Sequence, residues 1–411
     1  MKNIPIYIVA LLLLLSTPVA NSKTLKIVKP EKMGMSSEKL ANADRVVGEA
    51  IDEGKIPGAV LAVVRGGSLV YLKAYGNRSV APTTLPMEAN TIFDIASCTK
   101  PVVTAISAMI LVEQGRLSLR DDLDLYIPHF NDLRECDTIR HSIRIRHLMT
   151  HSSGLNPYVI PEDLEKRYGS TSRDSLVEYI RHTKRRYEPG TQFNYSCLNY
   201  ILLQHIIEQV SGESLQSFAK RNIFDLLGMD DSDYRSVESQ SLSLAASRFA
   251  PTEVISGDSV LYGVVHDPLA RIVNEGVSGN AGLFSTAHDL ALLSTALLGD
   301  GGYSESRLLS PVTIRAMRSV PRDMESVGRS LGWDVHSPYT SNLGDLFSDS
   351  AYGHTGFTGT SMSLDPENDI AVILLTNIVH LDDYKMIDIL RLRGRIANIA
   401  AGSITSDRGR Y

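Results

Sequence analysis

Ser97-Cys98-Thr99-Lys100 places a hydroxyl and an amine three residues apart, just before the apolar run Pro101-Val102-Val103-Thr104-Ala105-Ile106. On a helix, residues three apart are neighbours, so the Lys100 amine can reach the Ser97 hydroxyl. A serine hydroxyl is a weak nucleophile until a base takes its proton, and a lysine serves as that base if burial or nearby cations lower its pKa. The near-absence of charge in the following run predicts a buried helix with Ser97 at its start. Free N–H groups and the positive end of the helix dipole suit an oxyanion there. Ser-x-x-Lys also occurs at Ser36/Lys39 and Ser217/Lys220, on polar amphipathic stretches where serine reads as a cap and lysine as a solvated side chain. Only the Ser97 pair buries its lysine.

Two further stretches carry chemistry. In Glu188-Pro189-Gly190-Thr191-Gln192-Phe193-Asn194-Tyr195-Ser196-Cys197 a turn leads into an apolar helix, with Tyr195 at the junction. A phenol beside a lysine can exchange protons with a serine or a leaving group, although a tyrosine covering a helix end would look the same. In Tyr352-Gly353-His354-Thr355-Gly356-Phe357-Thr358-Gly359 the glycines permit close backbone approach by a ligand, and a strand edge offers free N–H groups; a plain bulge is the structural alternative. His147 and His151 are four apart, but Leu148 replaces the glutamate of a zinc H-E-x-x-H, so no metal and no cofactor are expected. Neither a G-x-S-x-G elbow nor a phosphate-binding G-x-x-x-x-G-K loop is present.

The elements that must hold these residues follow from periodicity. Met35 to Gly54 has helical spacing, and Ala59–Val64 and Ser68–Ala74 flank Arg65-Gly66-Gly67 as a hairpin. From Leu117 to about Leu298 the pattern is mostly helical, with Ile143–Met149, Leu198–Val210 and Leu290–Leu298 as helices. Strands return at Gly359–Leu364 and Ile370–Thr376, and Tyr384–Ala400 reads as an amphipathic helix. Strands, a helical insert, then strands and a helix imply one sheet shared by both chain ends, with the site between sheet and insert.

The order of the three boxes resembles that of serine β-lactamases and penicillin-binding proteins. Within them the chain is similar to the branch of class C β-lactamases, D-Ala-D-Ala carboxypeptidases and family VIII carboxylesterases. Leu148-Met149-Thr150-His151-Ser152-Ser153-Gly154-Leu155 and Gly279-Asn280-Ala281-Gly282-Leu283-Phe284-Ser285-Thr286 add to the likeness, which spans roughly residues 35 to 400. The resemblance implies an α+β fold of the β-lactamase/transpeptidase type: an antiparallel sheet from both chain ends (about 30–116 and 325–400), flanked by helices, and a mostly helical insert (about 117–324). It implies Ser97 as acylated nucleophile, Lys100 as its proton partner and Tyr195 as general base or acid. The N–H groups of Ser97 and Phe357 would form the oxyanion hole, and Cys197, His354, Thr355 and Gly356 would meet the substrate. Cys197 stands where the family has asparagine and His354 where it has lysine, and both changes weaken recognition of β-lactams and D-Ala termini. The function implied is an exported serine hydrolase acting on small esters or cell-wall-type amides. A D-Ala-D-Ala carboxypeptidase or β-lactamase is the alternative, and a catalytically weak penicillin-binding-like receptor a further one.

At 411 residues and a formal charge of −6, with both signs mixed along the chain, nothing points to a nucleic-acid partner. Residues 1–22 begin with Lys2, continue through an apolar run and end in small residues, which reads as a signal peptide before a domain at 23–411. Periplasmic or secreted localisation follows, without stable membrane insertion unless the signal stays uncleaved as an anchor. Cys98, Cys136 and Cys197 make no disulfide framework. Ser97→Ala should abolish covalent labelling and ester turnover while leaving the fold intact, with Ser36→Ala and Ser217→Ala nearly silent; retained p-nitrophenyl acetate turnover in the Ser97 variant would refute the assignment.

Overall fold

Gly-Ala-Val-Leu-Ala-Val-Val-Arg at 58–65 is apolar without alternation, the signature of a strand covered on both faces, and every residue of it is buried. The computed structural model describes residues 25–130, 139, 141–235, 243, 246–256, 259–335 and 343–406. The expected signal peptide and Cys136 lie outside the described residues.

The sheet is formed by β1 (Gly58–Arg65), β2 (Ser68–Ser79), β3 (Leu85–Pro86), β4 (Asp334–Val335), β5 (Tyr352–Thr355), β6 (Ser361–Asp365) and β7 (Ile370–Leu375), in the spatial order β4-β5-β6-β7-β1-β2-β3. Its pairings are antiparallel, and β1 joins the two chain ends, with Val60 opposite Leu375 on one side and Ala74 on the other. The expected hairpin is present; Gly66 and Gly67 have φ of 56° and 68°, as its tight turn requires.

Alternation along β1 sorts its side chains into two cores. Ala59, Leu61 and Val63 pack with Val46, Val47, Ile389 and Ile396 of the helices α1 (Asn42–Asp52) and, at the C-terminal end, Met386–Gly402. Val60, Ala62 and Val64 face the larger core, which runs without interruption into the insert through Val102, Val103 and Ile106, Leu198 to Ile207, and Leu290 to Leu297. The α+β architecture with a shared sheet is therefore as the motifs implied.

Three local features differ from the sequence expectation. The segment after Ser97 is buried, but it is a 3-10 turn at Ala96–Cys98, a π-helical stretch at Lys100–Ala105 and only then an α-helix, α2 (Ile106–Glu113). Pro101 has no N–H to give the ladder, which favours such a register shift. β5 is not an edge strand, since β4 covers it; but β4 pairs only as far as Asp334 opposite Gly353, which leaves the outer side of His354 and Thr355 without a strand among the described residues. A three-stranded sheet of Phe93–Asp94, Leu283–Ser285 and Asp233–Tyr234, which the periodicity did not announce because its strands are two or three residues long, ties the Ser97 turn to the insert.

Gly48, inside α1, has nothing within 4 Å of where a Cβ would stand, whereas a Cβ on Gly58 would lie 2.5 Å from the Tyr75 and Asn77 carbonyl oxygens. Gly48→Ala should accordingly raise the unfolding free energy by about 0.5–1 kcal/mol by restricting the unfolded chain. Gly58→Ala should lower it by about 1–3 kcal/mol through backbone displacement. Urea denaturation of both variants reads the two signs.

Candidate active site

The site is built on a carboxylate the sequence reading passed over. Asp94 is buried and accepts the N–H of Ala96 (2.8 Å) and the N–H of His266 (2.8 Å), fastening the Ser97 turn to the insert. Burial pushes its pKa up while the two N–H donors oppose that rise. Ala96 is left-handed at φ 47°, an unfavourable conformation for a non-glycine residue that sits directly before Ser97. The signal available in the sequence was a lone acid inside the apolar run Ile92-Phe93-Asp94-Ile95.

Lys100 is fully buried, and its amine donates to Ser97 Oγ at 3.0 Å, to the Asn280 carbonyl at 2.9 Å and to Cys197 Sγ at 3.6 Å. Burial alone would lower its pKa, as the sequence reading required of a lysine base, but the neighbouring Cys197 and Tyr195 groups raise it, and the net direction is upward. The sequence expectation is corrected here: an amine with acceptors on all three donors is held as an ammonium. Asn280 appeared in the sequence reading only as part of a motif; its carbonyl fixes the lysine.

Tyr195 precedes Ser196, the N-cap of the helix Cys197–Ser211, so the predicted junction is observed. Its ring is stacked on His151 (centroids 4.3 Å apart), tilted against His354 (6.1 Å), and flanked by Lys100 Nζ at 4.9 Å and the Arg329 guanidinium at 5.7 Å. Arg329, unremarked in the sequence, is ion-paired with Asp334 at 3.1 Å and almost wholly buried. The two histidines once weighed as a zinc pair part company. His147 Nδ1 accepts the Arg144 N–H (3.1 Å), and His151 Nδ1 accepts the Ser196 N–H (3.1 Å), which assigns the proton of neutral His151 to Nε2.

The third box packs against the first. A Cβ on Gly356 would lie 2.4 Å from the Ile95 carbonyl oxygen and 2.2 Å from Thr360 Oγ1, so only glycine permits this approach. Thr358 and Thr360 hydroxyls donate to the carbonyls of Asp94 (2.8 Å) and Ile95 (3.0 Å), and the Cys98 thiol donates to the His354 carbonyl at 3.6 Å. Cys98 thus stitches the two boxes together; burial pushes its thiol up to about 12, which keeps it un-ionised. Neither the Ser97 N–H nor the Phe357 N–H is engaged by a backbone carbonyl among the described residues. His354 Nδ1 bonds the Thr355 carbonyl at 2.8 Å, and burial with Arg329 and Lys100 nearby holds its pKa well below the ordinary value. The histidine at the third box is therefore neutral. Cys197, with its pKa pushed up by burial, is a thiol. The two other Ser-x-x-Lys pairs are elsewhere: Ser36 caps a helix through the Lys39 N–H, while near Ser217 the capping residue is Ser214, and Lys220 pairs with Asp225 on the surface.

A buried serine–lysine pair, a tyrosine and a glycine-bounded strand thus meet at the seam of a sheet and a helical insert. The Beta-lactamase family model matches residues 43–394, and the chain belongs to that family. It is 30% identical over 404 residues, 92% of each chain, to a protein of Escherichia coli (strain K12) provisionally named a D-alanyl-D-alanine carboxypeptidase. A protein of Salmonella typhimurium (strain LT2) with the same provisional name is 30% identical over 380 residues, 87% of this chain and 86% of that one. Among solved structures, EstCE1, a hydrolase with promiscuous acyltransferase activity, superposes with a TM-score of 0.70 at 24% identity, covering 89% of this chain and 99% of its own. The octameric penicillin-binding protein homologue from Pyrococcus abyssi gives a TM-score of 0.63 at 24% identity over 83% of this chain and 74% of that one. These structures share the fold, and the family is one of β-lactamase-fold hydrolases.

His147 is held neutral by burial and by Arg146 and Arg144, its pKa pushed down to about 4 from an ordinary 6.5. A histidine depressed in the folded state is protonated first in the unfolded chain, so its contribution to stability is present above 6.5 and is lost as the pH falls toward 4. The slope of unfolding free energy against pH in that window should be shallower in His147→Gln than in the wild type. Equal slopes in chemical denaturation series would show that His147 does not titrate there.

Proposed function

We propose that the protein is a serine hydrolase working through an acyl-serine intermediate. The observation that carries this reading is the buried Lys100 amine 3.0 Å from Ser97 Oγ. With Lys100 held as a cation, Tyr195 acts in its deprotonated form: the phenolate oxygen takes the proton of Ser97 and becomes a phenol, and the adjacent ammonium offsets the charge that moves through the pair. Ser97 Oγ bonds to the acyl carbon, and the oxyanion is received by the Ser97 and Phe357 N–H groups. The leaving group departs with the proton from Tyr195, and water, activated by the same tyrosine, releases the acid.

The acyl group is inferred from what surrounds the nucleophile. Cys197 as a thiol is a weak donor where an amide would bind an acylamino chain, and neutral His354 supplies no fixed charge for a substrate carboxylate. An uncharged small or medium ester needs mainly the nucleophile and the oxyanion donors, so esters are the favoured class. A D-Ala-D-Ala carboxypeptidase is the second reading, favoured by the names of the E. coli and Salmonella relatives. Export, to periplasm or medium, is part of the proposal and rests on the composition of residues 1–22.

Tyr195→Phe should cut kcat by roughly 10²–10⁴-fold with KM little changed. Wild-type kcat/KM should be higher for a p-nitrophenyl ester than for nitrocefin or a D-Ala-D-Ala peptide, and Cys197→Asn with His354→Lys should raise nitrocefin acylation more than ester turnover. Peptide or nitrocefin turnover equal to ester turnover in the wild type would promote the second reading, and a long-lived penicilloyl adduct without turnover would favour a receptor.

A further inference from the structure

Arg393 lies on the C-terminal helix Met386–Gly402, far in sequence from every motif, and is 3% exposed. Among the described residues it forms no ion pair, and its Nε has no partner. A buried cation without a counter-ion costs several kcal/mol of desolvation, which a packing role would not require. Burial pushes its pKa down to about 10, so it stays charged at neutral pH. Its contacts are two carbonyls: Nη2 donates to Gly356 O at 3.1 Å and to Thr360 O at 2.9 Å. Those carbonyls bound the turn that carries Phe357.

Gly356 C=O and Phe357 N–H belong to one peptide unit, in which the two bonds point in opposite directions. Arg393 and the Gly359 N–H (3.1 Å) both take the Gly356 carbonyl, and the Gly356 N–H is taken by Thr360 O at 2.8 Å. The plane of that peptide is therefore pinned, with its N–H aimed away from the guanidinium. A cation at the carbonyl end also draws electron density from the N–H end, making the amide a stronger donor. On the other side of Gly356 stands the Ile95 carbonyl, two residues before Ser97.

Resting on the acyl-serine reading above, we infer that Arg393 is a positioning residue for the oxyanion hole: it orients and polarises the Gly356–Phe357 peptide so that the Phe357 N–H meets the tetrahedral intermediate without reorganising. Its effect belongs to the transition state, because the developing negative charge gains more from a polarised donor than the ground-state carbonyl does.

The test uses the full chain with a p-nitrophenyl ester and an alkyl boronic acid, which forms a tetrahedral adduct with an active serine. Arg393→Met and Arg393→Gln should lower kcat on the order of 10- to 100-fold, less than loss of a whole oxyanion donor, and weaken boronate affinity in step. KM should stay within about twofold. Arg393→Lys, which keeps the buried cation, should recover most of the rate. Should the Met variant not fold, the Gln variant, which retains a neutral donor for Gly356 O, decides by itself. A folded Gln or Met variant with wild-type kcat, a loss confined to KM, or a Lys variant no better than Gln would overturn the inference. Failure of the underlying reading has a different signature: turnover surviving in Ser97→Ala, whatever the Arg393 variants do.

Discussion

The burial of the Lys100 ammonium is the constraint on which the active site depends. A charge removed from water must be met by protein groups or the fold loses several kcal/mol, and this one is met by Ser97 Oγ, the Asn280 carbonyl and Cys197 Sγ. Those three acceptors come from the Ser97 turn, the Gly279–Thr286 segment and the start of the Cys197–Ser211 helix. The lysine thereby makes assembly of the cleft a condition of stable folding, since none of the three segments can move without uncovering a charge.

The site gathers three buried cations. Lys100, Arg329 and Arg393 are all buried within the site or directly behind it, and Asp334 is the one carboxylate paired with any of them among the described residues. Burial first, and these cations second, keep His151 and His354 from accepting protons. The cations also favour a reaction whose transition state gathers negative charge on an oxygen, which is the electrostatic logic of acyl transfer. The same cations disfavour a charged side chain at position 354: a further unpaired cation would have to be desolvated beside the existing ones.

Backbone proximity does the rest. Glycine at 356 lets the third box reach the Ile95 carbonyl, threonines 358 and 360 fix that approach with hydroxyl donors, and Cys98 adds a thiol contact. Such contacts join positions some 260 residues apart in the chain, as the 264-residue separation of Thr358 and Asp94 illustrates, and leave no periodic trace in the sequence.

Much was legible beforehand because it is local. The hairpin at Gly66-Gly67, the helices ending before Gly212 and Gly299, the terminal helix and the three boxes are set by hydrophobic period, turn chemistry and residue type within a dozen positions. The sharing of one sheet by both chain ends followed from the order of those elements. Only the tertiary structure decided the charge states and the supporting cast: that Lys100 is held as an ammonium and His354 as a neutral ring, that His151 stacks on Tyr195 instead of serving a metal pair, and that Asp94, Asn280, Arg329 and Arg393 serve the site. The physical reason is that a pKa, a stacking contact or a pinned peptide depends on groups brought within a few ångströms by folding, and no spacing rule along one strand or helix carries that information.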